Sequence, residues 1–145
     1  MKVISVVGTK KTGKTTLVCA LVAELAKYGR VGTIKNMVDH PVDQGDTRRH
    51  FDAGAEMVMG LGTARLIVKR ERGDLDSALA ELEADGMDYA VVEGFKHSSL
   101  PKIVMADINV PNAVRRVNLA DISPALVEEL AEMVRERDDY KLFEH

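Results

Sequence analysis

Val3-Ile4-Ser5-Val6-Val7-Gly8-Thr9-Lys10-Lys11-Thr12-Gly13-Lys14-Thr15-Thr16 is the stretch that decides the fold. Val3 to Val7 is a short apolar run of the kind that forms a strand buried on both faces. From Lys14 to Tyr28 the apolar residues Val18, Leu21, Val22 and Leu25 recur at helical spacing, and Gly29 supplies a stop. Val31 to Lys35 reads as a second strand. These three elements make a β-α-β unit whose first turn is a glycine-rich loop.

That loop, Gly8 to Thr15, satisfies Gly-x-x-x-x-Gly-Lys-Thr, the Walker A or P-loop pattern. Each residue type has its own reason to be there. Gly8 lets the chain turn off the strand, and Gly13 lets backbone approach a phosphate with no Cβ in the way. The N–H groups of Lys11 to Thr15 form a donor nest at a helix N-terminus, where the dipole also favours an anion. Lys14 reaches for β- and γ-phosphates, the Thr15 hydroxyl for Mg²⁺, and Thr16 for the α-phosphate. By average composition a random chain of this length would show the pattern roughly once in two hundred. Its position between a strand and a helix is the context that makes it functional. Thr9, Lys10, Lys11 and Thr12 complete the candidate cradle, and the two lysines either add charge near the phosphates or are solvated. Thr9 occupies the place where dimeric ATPases with a deviant loop carry an extra lysine, so an intersubunit lysine is not expected.

Working outward, Met37 to Gly45 is a polar loop, after which Asp46 or Thr47 is expected to cap a short helix running to Ala53. Met57-Val58-Met59 and Ala64 to Lys69 suggest a hairpin. Asp74 to Asp85 reads as a helix ended by Gly86. Tyr89 to Val92 is an apolar strand delivering Glu93 at its C-terminal edge, where open α/β sheets bind ligands. Lys102 to Met105 and Ala113 to Val117 read as short strands. The last helix has Ser123 as N-cap and Pro124 at its first position. The expected fold is α/β, a P-loop NTPase with a mostly parallel central sheet flanked by helices and a β-hairpin edge or insertion, in one domain over 1–145.

The composition, 46% hydrophobic and 30% charged with a net charge of −3, is that of an ordinary globular protein. Interspersed charge argues against nucleic acid or an anionic membrane as main partner. A lone cysteine, Cys19, excludes an intrachain disulfide and a cysteine-based zinc site; its helical apolar neighbours predict burial. The methionines, Met57 and Met59 among them, are read as core filler. His40, His50, His97 and His145 share no ligand spacing. No signal peptide or membrane-length apolar run is visible, and the expected location is the cytoplasm.

A P-loop protein needs a second carboxylate to hold the Mg²⁺ shell or orient water, and Glu93 is the candidate. Asp46 is a further candidate for the metal and for catalysis, as a switch-like residue, a helix cap, or both. Lys35 at a strand end faces phosphate or solvent. Lys96 contacts phosphate, a partner or a pterin, or is a solvated loop lysine.

Glu93-Gly94-Phe95-Lys96 followed by Pro101-Lys102-Ile103 resembles a segment of the molybdopterin-guanine dinucleotide biosynthesis protein B (MobB) family. Ile34-Lys35, Gly45-Asp46-Thr47, Arg49-His50 and Ala53-Gly54-Ala55 resemble its middle stretch. The likeness runs from about Val3 to Ile103 and is weaker to the final helix. It implies a homodimeric protein that binds GTP and Mg²⁺, hydrolyses GTP slowly, and assists a partner nucleotidyltransferase, protein A of the pathway, in attaching GMP to molybdopterin. Molybdopterin itself would be met directly or through that partner. Asn36 stands where the family usually has His, with His40 a nearby substitute, and no residue separates Gly45 from Asp46. The base-reading pattern Asn/Thr-Lys-x-Asp is absent, so guanine preference rests on the resemblance. A small-molecule kinase and a metal-delivery GTPase are the alternative readings. Both lack a visible sequence feature: convergent lid arginines for the first, clustered His or Cys for the second.

Overall fold

A computed structural model describes residues 1–37 and 45–142. The chain forms two compact units, Met1–Asn36 with Leu75–His145, and Met37–Asp74.

In the first unit, β1 (Lys2–Val7), β2 (Val31–Lys35), β5 (Tyr89–Glu93), β6 (Lys102–Val104) and β7 (Ala113–Arg116) form a sheet in the order β2-β5-β1-β6-β7. Every pairing in it is parallel. The period-2 alternation of the central strands splits their apolar side chains between two cores. Ile4, Val6, Tyr89, Val91 and Ile103 face helix α1 (Lys14–Leu25) and helix α4 (Pro124–Glu136), meeting Leu17, Leu21, Leu25, Leu130 and Val134. Val3, Ala90 and Val92 join Leu79 of helix α3 (Leu75–Ala84), with Leu100 and Leu142. The sheet is thus sandwiched between helical layers, which is why β5 is buried along its whole length.

Most expected elements form within a residue or two. The helix after the loop stops at Leu25 rather than Tyr28, because Tyr28 N–H donates to the Leu25 carbonyl and Lys27 N–H to that of Glu24, the tighter three-residue spacing of a closing turn. Ser123 caps α4 as expected, its Oγ accepting from Leu126 N–H at 3.1 Å. Cys19 is a correction. It is exposed, on the solvent side of α1, whose buried stripe is Leu17, Val18, Leu21 and Leu25.

The second unit holds helix α2 (Asp46–Asp52) and the antiparallel pair β3 (Met57–Leu61) and β4 (Arg65–Lys69). Neither Asp46 nor Thr47 is the cap of α2. Gly45 takes that position with φ +119°, and Asp46 follows as an acidic first-turn residue, favourable to the helix dipole. The core-filler reading of Met57 and Met59 also fails. A two-stranded ribbon buries one alternation only: Val58 is buried, whereas Met57, Met59 and Leu61 on the other alternation are exposed. Arg70 stacks 3.7 Å over the Phe51 ring, tying the end of the hairpin to α2.

A candidate phosphate and metal site

The C-terminal edge of the parallel sheet gathers the sequence-predicted residues of the first unit. Gly8 follows β1 and the loop runs to Gly13, which caps α1 in the left-handed region at φ +90°. Lys11, also left-handed at φ +62°, turns the loop back two residues earlier. Such turns make a concave nest of N–H groups. A Cβ on Gly13 would lie 2.5 Å from Leu119 Cδ1, so the absence of a side chain serves both the backbone angle and a close approach. Thr12 Oγ1 donates to the Thr9 carbonyl at 2.8 Å, stitching the loop to itself. Lys14 Nζ lies back over the loop, 3.4 Å from the Gly8 carbonyl. Thr9, Lys10, Lys11, Thr15 and Thr16 are exposed.

Strand parity places the carboxylate. Tyr89 and Val91 face α1, so Glu93, two residues on, faces α1 as well, level with Val6 in the register. There Thr15 Oγ1, in the first turn of α1, donates to Glu93 Oε1 at 2.6 Å. Lys35 ends the neighbouring strand level with Glu93, and its Nζ sits 3.5 Å from Oε2. Both carboxylate oxygens are therefore engaged, one by a hydroxyl and one by an ammonium.

Past Glu93 the chain turns at once. Gly94 (φ +97°) and Phe95 (φ +60°) are both left-handed, and Ser5 Oγ donates to the Gly94 carbonyl at 2.7 Å. Lys96 follows and is exposed. Asp46 belongs to the second unit, where it lies 3.8 Å from Arg49 Nη1. His40 lies outside the described residues.

The sequence marks Lys102 only as part of the Pro101-Lys102-Ile103 motif and carries no sign of its environment. Its side chain is fully buried, donating to the carbonyls of Leu100 and Pro111, both at 2.8 Å, and to that of Ser98. Burial pushes its ammonium below the usual lysine range. It pins the loop after Glu93 to the segment before β7, and is a buttress of the site rather than part of its surface.

A hydroxyl paired with a carboxylate is a hard-oxygen donor set suited to Mg²⁺, which takes one or two protein oxygens and completes its shell with water and phosphate. Together with the nest, the arrangement has the chemistry to hold a phosphate chain and its cation.

The family model described as molybdopterin guanine dinucleotide synthesis protein B matches residues 3–128. The chain belongs to this family. A Methanocaldococcus jannaschii protein, by name a molybdopterin-guanine dinucleotide biosynthesis adapter protein, is 34% identical over 114 residues, which cover 72% of this chain and 47% of that one. The chain spans less than half the length of the curated relatives it matches. Among solved structures, a MobB homologue from Bacillus stearothermophilus superposes with a TM-score of 0.72 at 26% identity, covering 94% of this chain and 100% of that one. Bacillus subtilis MobB shares the fold, with a TM-score of 0.68 at 18% identity over the same shares. In this chain the Glu93-to-Lys96 segment, which carries part of the resemblance in sequence, makes the left-handed turn after β5. The Pro101-to-Ile103 segment holds the buried Lys102 that braces it.

Proposed function

We propose that this chain is a GTP-binding accessory protein of molybdopterin guanine dinucleotide assembly. In this reading it acts in the cytoplasm as a homodimer and assists a partner nucleotidyltransferase in joining GMP to molybdopterin. The observation that carries the reading is the 2.6 Å hydrogen bond from Thr15 to Glu93, which brings the end of the phosphate loop and the carboxylate strand into one site. The family membership directs that site toward cofactor synthesis.

The chain's own groups would divide the work as follows. N–H groups of Lys11 to Thr15 hold the phosphates, with Gly8 and Gly13 giving access to them. Lys14 leaves the Gly8 carbonyl to pair with phosphate oxygens, and Thr16 donates to the first phosphate. Thr15 and Glu93 would hold Mg²⁺, which supplies neutralisation of phosphate charge. Lys35 and Lys96 add cationic charge at the rim. Glu93 or Asp46 would orient a water, and hydrolysis by the protein alone is slow, below ~1 s⁻¹.

Isothermal titration of GTP with Mg²⁺ tests this, repeated with Lys14→Ala and then with the purified nucleotidyltransferase and molybdopterin. The expected result is binding lost with Lys14→Ala and a heat change on adding the partner. Unaltered affinity in Lys14→Ala would sink the phosphate-site reading. No effect of the partner would sink the accessory role.

A further inference from the structure

We propose that Asn118 and Asp121 read the base of the nucleotide and select guanine. This inference rests on the assignment of Gly8 to Thr16 as the phosphate cradle. In register across the sheet, Val7 pairs with Val104 and Val104 with Arg116, so β1, β6 and β7 end at one edge. Asn118 therefore emerges two strands from the phosphate loop, roughly 10 Å along the edge. That is a distance the ribose and base of a single nucleotide can bridge.

Leu119 joins the two places physically. Its isobutyl group lies against Gly13, the residue that caps α1, while 51% of Leu119 stays exposed. An apolar surface left open beside a phosphate loop is suited to covering by a flat base. On either side of it, Asn118 and Asp121 begin and end a 3-10 turn held by Asp121 N–H donating to the Asn118 carbonyl at 3.0 Å. Both are exposed, and neither side chain has a hydrogen-bond partner among the described residues. Asn118-Leu119-Ala120-Asp121 keeps the outer residues of Asn-Lys-x-Asp with leucine at the second place, which is why the pattern is missed in the sequence alone. Leucine at that place retains packing on the loop without an ammonium.

The chemistry selects guanine. Its N1–H and N2–H₂ are adjacent donors that two carboxylate oxygens accept together, and its O6 and N7 accept from the asparagine amide. Adenine turns an acceptor nitrogen toward the same carboxylate, leaving both groups unpaired. A site built to hydrogen-bond one ligand rejects an analogue lacking the donor strongly.

The experiment measures GTP, ATP and xanthosine triphosphate affinities, each with Mg²⁺, for the wild type, Asp121→Asn, Asn118→Ala and Lys14→Ala. The wild type is expected to prefer GTP over ATP by at least about 10-fold. Asp121→Asn should weaken GTP by about 100-fold and reverse the order of GTP and xanthosine triphosphate, because the new amide donates to the carbonyl at xanthine C2. Asn118→Ala should narrow the GTP-to-ATP ratio. Lys14→Ala should weaken all three nucleotides alike. Equal wild-type affinity for GTP and ATP, or a folded Asp121→Asn with an unchanged ratio of GTP to xanthosine triphosphate, overturns the base assignment while the phosphate site stands. Absence of nucleotide binding by the wild type, or binding indifferent to Lys14→Ala, removes the phosphate site and this inference with it.

Discussion

Glu93 accepts from Thr15 on one oxygen and faces Lys35 on the other, so a cation bound beside it competes with the Lys35 ammonium. Lys35 is 52% exposed in its side chain, which limits that competition to the scale of a solvated ion pair. Lys35→Met is therefore expected to raise the apparent Mg²⁺ affinity of the nucleotide complex by no more than about fivefold. Mg²⁺ titration at fixed nucleotide measures it, and a decrease would show that Lys35 acts mainly on phosphate. Lys102 is the opposite case, a fully buried lysine. Lys102→Met leaves carbonyls of Ser98, Leu100 and Pro111 without their donor, at an expected cost of about 3 kcal/mol in urea unfolding. Its pH dependence has a definite sign. Because burial lowers the folded pKa below 10.5, the unfolded chain holds the proton more tightly. This group's contribution is complete above 10.5 and lost as pH falls through the lower folded value. The stability of the wild type relative to Lys102→Met should thus rise between neutral and strongly alkaline pH. A flat difference would mean that the ammonium keeps its ordinary pKa.

At the scale of elements, the start of α1 and the start of α4 are stabilised differently, and the two respond differently to a methyl-sized change. Helix α4 begins with a side-chain cap, so Ser123→Ala should cost about 1 kcal/mol and leave nucleotide affinity unaltered. Helix α1 begins with a left-handed glycine pressed on Leu119. Gly13→Ala meets both a backbone penalty of about 1–2 kcal/mol and a steric one, and it should weaken nucleotide binding together with stability. Adding Leu119→Ala relieves the clash and not the backbone angle. The double variant is therefore expected to regain part of the lost stability in the same unfolding assay. Full recovery would show that the contact alone sets the cost.

Over the whole molecule, what was legible in the sequence is what obeys a local period. Val3 to Val7, Tyr89 to Val92 and the stripe Leu17, Leu21, Leu25 declare their elements because burial of a strand or a helix face repeats every two or every 3.6 residues. Glu93 was legible as a strand-end carboxylate, and the same two-residue parity explains why it meets Thr15. The exposed Cys19, the exposed Met57 and Met59 and the burial of Lys102 were not legible. Each depends on what a distant segment covers, which leaves no local signal. The two cores make this dependence measurable. Leu130 on α4 and Leu79 on α3 are both fully buried, yet they pack on opposite faces of one sheet and belong to clusters that share no residue. Each change to alanine should cost about 3–5 kcal/mol, the range for a leucine removed from a tight site. Residues without shared partners combine additively, so the double variant should lose the sum within about 0.5 kcal/mol. Because β1 and β5 contribute to both cores, the loss should fall on one common unfolding transition. Two resolved transitions in calorimetry, one sensitive to Leu79→Ala and the other to Leu130→Ala, would show that the faces of the sheet melt separately and that the edge carrying Glu93 and the phosphate loop is held by only one of them.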